Sequence, residues 1–224
     1  MRSIKLMKSM NSTRIFKTVV FSVSAATLVV SLLLVSAPTW AAQCGEATWP
    51  TQPGMSNGRF VGTLTATCVF SHQESRQIAN LESAIISGLP QQYAAIHSGP
   101  KAEEFEGIAS QYWDVSSREK QNGDDVEIRK DVHLATSPSH LVMANTSTEI
   151  KASGNAAFLK AVTNRFEVHI AQTEGDVVII SRTVEIAKPW YAPSGTFVNR
   201  VKSAVRETFE PEAKAVAEDW ETHF

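Results

Sequence analysis

Between Arg59 and Phe70 the chain alternates, with Phe60, Leu64, Ala66, Cys68 and Phe70 on one side and Val61, Thr63, Thr65 and Thr67 on the other. A period of two predicts a strand with one buried face. Ser71 and Glu74 then have the spacing of a capping box, and Ile78, Leu81 and Ile85 fall on one helical face. Gly88 and Pro90 are expected to end that helix. The stretch 91–109 carries no clear period. Within it "KAEEFEGIA" predicts a short second helix, preceded by a turn at "IHSGPK".

Asn122-Gly123 is a two-residue hairpin signal. Pairing Gln121 with Asp124 puts Trp113, Val115 and Ser117 on the same face as Val132, Lys130 and Ile128, so register and apolar pattern agree. Leu141 to Ala152 and Phe158 to Gln172 read as further strands joined through Ser153 to Asn155, and Val177 to Lys188 reads as the last. A Thr173-Glu174-Gly175 loop sets Ile170 opposite Val178, Val168 opposite Ile180 and Phe166 opposite Arg182. After Pro193 a stripe of Val198, Val201, Val205, Phe209, Ala213, Val216, Trp220 and Phe224 predicts a terminal helix. Pro211 lies inside it and is expected to bend or break it.

The N-terminus follows a different pattern. Arg2, Lys5, Lys8, Arg14 and Lys17 precede an apolar run from Val19 to Val35, and "SAPTWAAQ" supplies small residues for cleavage. Residues 1–41 therefore read as a secretory signal peptide, with an uncleaved anchor as the alternative. Gln43 before Cys44 argues against a lipoprotein. The expectation is an exported chain, periplasmic or secreted, with no membrane span after cleavage. Residues 42–58 are rich in turn formers and read as an irregular strap, leaving 59–224 as one domain. Cys44 and Cys68 are the only cysteines. In an oxidising compartment they are expected to form a disulfide.

The formal net charge is −2, without a basic stripe, and excludes a nucleic-acid partner from the reading. The six histidines, His72, His97, His133, His140, His169 and His223, lack metal-ligand spacing. No G-x-S-x-G elbow or glycine-rich phosphate loop is present. Glu103, Glu104 and Glu106, and Asp124 and Asp125, read as solvated charge. The sequence therefore implies no catalytic set, no metal site and no cofactor. Two cations are more informative: Lys130 lies between Ile128 and Val132, and Arg182 between Ile180 and Val184, each on an otherwise apolar face. Each either snorkels to the sheet edge, pairs with a buried carboxylate, or meets a ligand's carboxylate or phosphate.

The order of strand, helix, antiparallel strands and long terminal helix resembles the helix-grip fold of the START-like, or SRPBCC, superfamily over residues 59 to 222. The resemblance is carried by "TCVFSHQESRQIANLESAI" and by the last hairpin running into "AKPWYAPSGTFVNRVKSAVRETFE". It implies an α+β fold in which a curved antiparallel sheet of about six strands wraps a long C-terminal helix. It also implies a ligand-binding domain holding a small hydrophobic or amphipathic molecule, such as a lipid. The cavity wall would draw on Trp113, Val115, Ile128, Lys130, Phe166, Val168, Ile170, Ile180, Arg182, Val184, Val201, Val205 and Phe209. The same apolar positions also fit a packed core, in an interaction module of an exported assembly with "KPWYAPSG" as its contact loop. A third reading is a cyclase or hydrolase using Lys130, Arg182 or Tyr112 to stabilise an enolate.

Overall fold

The computed structural model describes residues 42–70, 78–105, 107–121, 123–154, 160–171 and 177–223. The proposed leader, the Ser71–Glu74 cap, Asn122, Asn155, the Thr173-Glu174-Gly175 loop and Phe224 lie outside the described residues. The elements are β1 (Gln43–Cys44), β2 (Gly54–Ser56), β3 (Arg59–Val69), α1 (Ile78–Gln92), β4 (Ala95–Phe105) and β5 (Ile108–Gln121). They continue with β6 (Asp124–Thr136), β7 (His140–Ala152), β8 (Val162–Ala171), β9 (Val177–Ala187) and α2 (Ser194–His223).

The nine strands of the described residues form one antiparallel sheet, ordered β1-β3-β9-β8-β7-β6-β5-β4, with β2 also on β3. Two of the nine are short strands of the strap, so the sheet is larger than the expected six. Helix α2 runs over β3 and β9, and α1 covers β6 and β7. The result is an α+β, helix-grip arrangement: a long terminal helix against one face of an antiparallel sheet.

Period-two burial on β3, β6 and β9 explains why one face turns inward. The strap is less irregular than its composition implied. Gln43 and Cys44 pair with Val69 and Cys68, and Thr48 bridges Thr65. Trp49 and Pro53 pack so closely over Gly62 that an added Cβ would meet them at 2.9 and 2.7 Å. The Cys44–Cys68 disulfide, 24 residues apart in sequence, joins directly opposed strand positions.

Three expectations need correction. First, "KAEEFEGIA" is not a helix; its Lys101 to Phe105 portion belongs to β4 and pairs with Tyr112 to Ile108. Ladder pairing overrides the helical propensity of these residues. Register shifts at Ile96/Ser98 and Ser98/Lys101 bend β4, and Gly99 (φ 115°) occupies a position where a Cβ would meet the Tyr112 carbonyl oxygen at 2.5 Å. The bent hairpin brings Phe105 onto His133 of β6, ring centroids 4.8 Å apart, with the Arg165 guanidinium 5.3 Å from the Phe105 ring.

Second, α1 continues through Gly88 and Pro90 to Gln92. Leu89 is buried, and the Tyr93 N–H donates to the Leu89 carbonyl at 3.1 Å, closing the last turn. Third, Pro211 does not break α2, which is helical from Ser194 to His223. Phe209 and Ala213, buried on either side of Pro211, hold the segment onto the sheet while a proline removes one local hydrogen bond. The fully buried stripe runs Phe197, Val201, Val205, Phe209, Ala213, Ala217 and Trp220; Val198 and Val216 flank it, partly buried. Strand β8 starts at Val162, and the expected start at Phe158 lies outside the described residues.

Two outcomes follow. Phe209, with no exposed surface, should cost about 3 to 5 kcal/mol on replacement by alanine in chemical denaturation; a loss below about 1 kcal/mol would show the stripe unpacked. On the outer face Asp114 accepts from Arg129 Nε at 2.7 Å, and this hydrogen bond lowers the Asp114 pKa. A carboxylate with a lowered folded pKa contributes stability above its unfolded value and loses it as pH falls through the folded one. The stability gap between wild type and Asp114→Asn should therefore be full at neutral pH and shrink on acidification below the ordinary carboxylate range. A pH-independent gap would contradict the pairing.

Candidate functional site

Strand register places Arg182 on the inner face between Leu64 of β3 and Phe166 of β8. Its side chain is 3% exposed. A guanidinium there needs a carboxylate, and neither flanking strand supplies one on this face. The partner comes from α2: Arg182 donates to Glu212, one residue beyond Pro211, and to the Thr208 hydroxyl at 3.4 Å. Phe166 and Phe209, in edge contact with each other, both lie against the cation, with its central carbon 5.5 and 5.7 Å from their ring centroids. Burial raises the Glu212 pKa, against the opposing pull of Arg182 and Lys130. The arginine in the greasy register is thus one half of a structural ion pair joining sheet to helix.

Lys130 is different. It lies opposite Val115 of β5 and Ser147 of β7, with 7% of its surface exposed. Its ammonium sits 5.8 Å from the Tyr93 ring centroid. Among the described residues no carboxylate lies within ion-pair distance of it. Burial lowers its pKa, while the more distant charges of Glu119 and Glu212 raise it and Arg182 lowers it further.

Around Lys130 the inner face turns polar. Asn145 Nδ2 donates to the Tyr93 hydroxyl at 2.8 Å. Ser147 Oγ accepts from the Asn164 N–H at 2.9 Å and donates to the Asn164 carbonyl at 3.1 Å. Ser117 Oγ and Asn164 Oδ1 are buried without a hydrogen-bond partner among the described residues. Native interiors satisfy most such atoms; these two lie on β5 and β8, on either side of the strand that carries Lys130, and Glu119 Oε1 on β5 is a further buried acceptor.

The remaining anticipated wall residues divide. Trp113, Val115, Val168, Ile170, Ile180, Val184, Val201, Val205 and Phe209 are buried in one cluster, with Phe166 partly buried against it. Ile128 belongs to a separate small cluster with Val126 and Ala152. Tyr112 is not with the two cations: it faces outward and donates to Asp131 at 2.8 Å, a bond that helps push its pKa up to about 12. Among the described residues no cluster of His, Cys, Asp or Glu has the makings of a metal site. An open depression of about 480 Å³, lined by Asp125, Glu149, Ile150, Lys151, Ala152, Ser153 and Lys160, lies at the far end of β6 and β7, away from the inner cations.

Sequence reading missed Tyr93, Ser117, Asn145, Ser147, Asn164 and Glu212. Glu212 carried a usable signal, sitting three residues after Phe209 on the edge of the apolar stripe. The polar positions of β7 and β8 become visible only once register with Lys130 is known.

The ion pair makes a sharp test. Glu212→Leu leaves a buried guanidinium and should cost about 3 kcal/mol. Combining it with Arg182→Met should restore much of that loss, giving a large coupling in a double-mutant cycle read by denaturant melts. Simple additivity would show that the two residues do not act together.

No protein-family model matches the chain, and no curated protein matches it significantly. Among solved structures it is similar to human STARD10, with a TM-score of 0.31 and 10% identity over 75% of this chain and 79% of that one. A likeness this low carries no argument, and the helix-grip description stands on the chain's own geometry.

Proposed function

We propose that this is an exported binding protein of the START-like superfamily that holds a small hydrophobic or amphipathic molecule, such as a lipid, between sheet and C-terminal helix. The observation that carries the reading is Lys130, a buried cation without a carboxylate partner among the described residues, where an apolar inner wall meets a polar row. Leaving a cation unpaired in such surroundings costs several kcal/mol, and an anionic head group would offset that cost. Trp113, Val115, Phe166, Val168 and Ile180 offer the neighbouring apolar surface. Arg182 contributes indirectly, by fixing α2 over the sheet. The leader at 1–41 and the Cys44–Cys68 bond support a periplasmic or secreted location. Among the described residues no helix is long and apolar enough to cross a membrane.

A second reading, an interaction module of an exported assembly, is favoured by the "KPWYAPSG" loop. There Trp190 is 92% and Tyr191 58% exposed. Hydrogen bonds from Lys188 Nζ to the Pro189 and Ala192 carbonyls, at 3.2 and 2.8 Å, fix the loop that presents them.

Native mass spectrometry of the gently purified protein, followed by titration with myristate, separates the two. The binding reading predicts a co-purifying lipid mass and saturable myristate binding. Lys130→Met should weaken that binding by roughly tenfold or more, the loss of one charge-assisted hydrogen bond, while melting at the wild-type temperature or above. A folded protein that takes up no amphiphile, or a Lys130→Met variant with unchanged affinity, would contradict it.

A further inference from the structure

The loop between β9 and α2 presents two rings to solvent and holds them in place. Trp190 and Tyr191, both exposed, stand edge to face with centroids 5.8 Å apart. Ala192 and Phe197 anchor the segment by burial, and the Ala192 N–H donates to the Pro189 carbonyl at 3.1 Å. The Lys188 N–H ties the loop to the Gly58 carbonyl of the β2–β3 turn at 3.0 Å. A loop ordered in advance has little entropy left to lose on docking. The charge around it is one-sided. From Ile186 to Arg206 the chain carries Lys188, Arg200, Lys202 and Arg206 and no acidic residue. Glu185, which borders this run, pairs with Arg59 at 3.3 Å, and Glu46 of the strap takes up Arg206 at 2.8 Å. With Glu46 counted against Arg206, the run is still positive. Lys202 follows Ser194 by eight residues, about 12 Å along the helix axis, so it lies near the positively polarised first turn of α2. Two rings alone fall short of the contiguous face, about 800 Å² per partner, that a stable protein interface needs. The other exposed large apolar side chains of the described residues are distant: Val69 and Ile179 lie toward the opposite ends of β3 and β9, and Ile96 on the edge strand β4. Tryptophan and tyrosine beside cations are instead suited to headgroup depth, where the ring body meets apolar chains and the N–H or O–H stays wet.

We propose that the β9–α2 loop docks the protein on the surface of an anionic phospholipid bilayer. Trp190 and Tyr191 enter the headgroup layer as rigid anchors, while Lys188, Lys202 and the first turn of α2 face the lipid phosphates. The docking is reversible, since two rings and a few charges hold far less firmly than a spanning helix. It sets the end of the sheet from which α2 departs against the bilayer, and it holds whether or not Lys130 binds a guest.

Co-sedimentation with sucrose-loaded vesicles tests this, using phosphatidylcholine alone or mixed with phosphatidylglycerol. The protein is taken without residues 1–41, whose apolar run would itself bind lipid. Docking of this kind predicts binding to the mixed vesicles that weakens as salt rises and falls several-fold on phosphatidylcholine alone. Trp190→Ala combined with Tyr191→Ala should lower partitioning onto mixed vesicles by roughly tenfold or more, while melting at the wild-type temperature because both side chains are exposed. Lys202→Glu should weaken binding to mixed vesicles and leave the residual binding to phosphatidylcholine unchanged. Lys130→Met should dock as the wild type does, which separates failure of the inner site from failure of the loop. Absence of binding to mixed vesicles would overturn the proposal and leave the loop to a protein partner. Undiminished binding by the double variant would overturn the role of the two rings. Equal binding to both kinds of vesicle would overturn the role of charge.

Discussion

A guanidinium on the inner face of a sheet has to find a negative charge, and the geometry of the whole protein follows from where Arg182 finds it. Its own hairpin supplies none on that face, so the partner must come from another layer. Glu212 provides it from the second half of α2. That contact fixes both the rotation of the helix and its position along β9, because a carboxylate on a different face would leave the cation stranded. Phe166 and Phe209, the aromatic rings flanking the guanidinium, belong one to the sheet and one to the helix, so packing and charge act at the same place. The helix can then carry Pro211 without breaking, since tertiary contacts on both sides of the proline exceed the loss of a single hydrogen bond.

With Arg182 satisfied, Lys130 stands out by contrast. Both residues occupy the same kind of sequence position, a cation between two aliphatic residues on an inward face. One is paired within the chain and holds the architecture; the other is buried without a matching carboxylate among the described residues. A protein that tolerates this arrangement spends stability on it, and functional sites are where such expenditure concentrates.

The parts of this structure legible in the sequence are those governed by short periods. The length of the Thr173-Glu174-Gly175 loop, together with alternation, placed Phe166 opposite Arg182 in the register that β8 and β9 adopt, and the Asn122-Gly123 signal aligned β5 with β6. Three-to-four-residue spacing located α2. Strand β4 escaped detection because nearly all its residues are exposed, leaving no alternation to read; its state is set by pairing with β5. The Arg182–Glu212 pair escaped because its partners are 30 residues apart on elements of different period. The choice between the two cations was equally hidden, since it depends on which of them a distant helix happens to meet.

The central claim is that Lys130 is a buried ammonium awaiting an anionic partner, and its own titration tests this most directly. With ¹⁵N-labelled lysine, the Lys130 side-chain signal can be followed against pH in the free protein and again with saturating myristate. The account predicts a folded pKa below that of an ordinary lysine, which burial imposes, and a clear upward movement on ligand addition as the carboxylate stabilises the charged form. An ordinary lysine titration in the free protein, or one that myristate leaves unmoved, would contradict it.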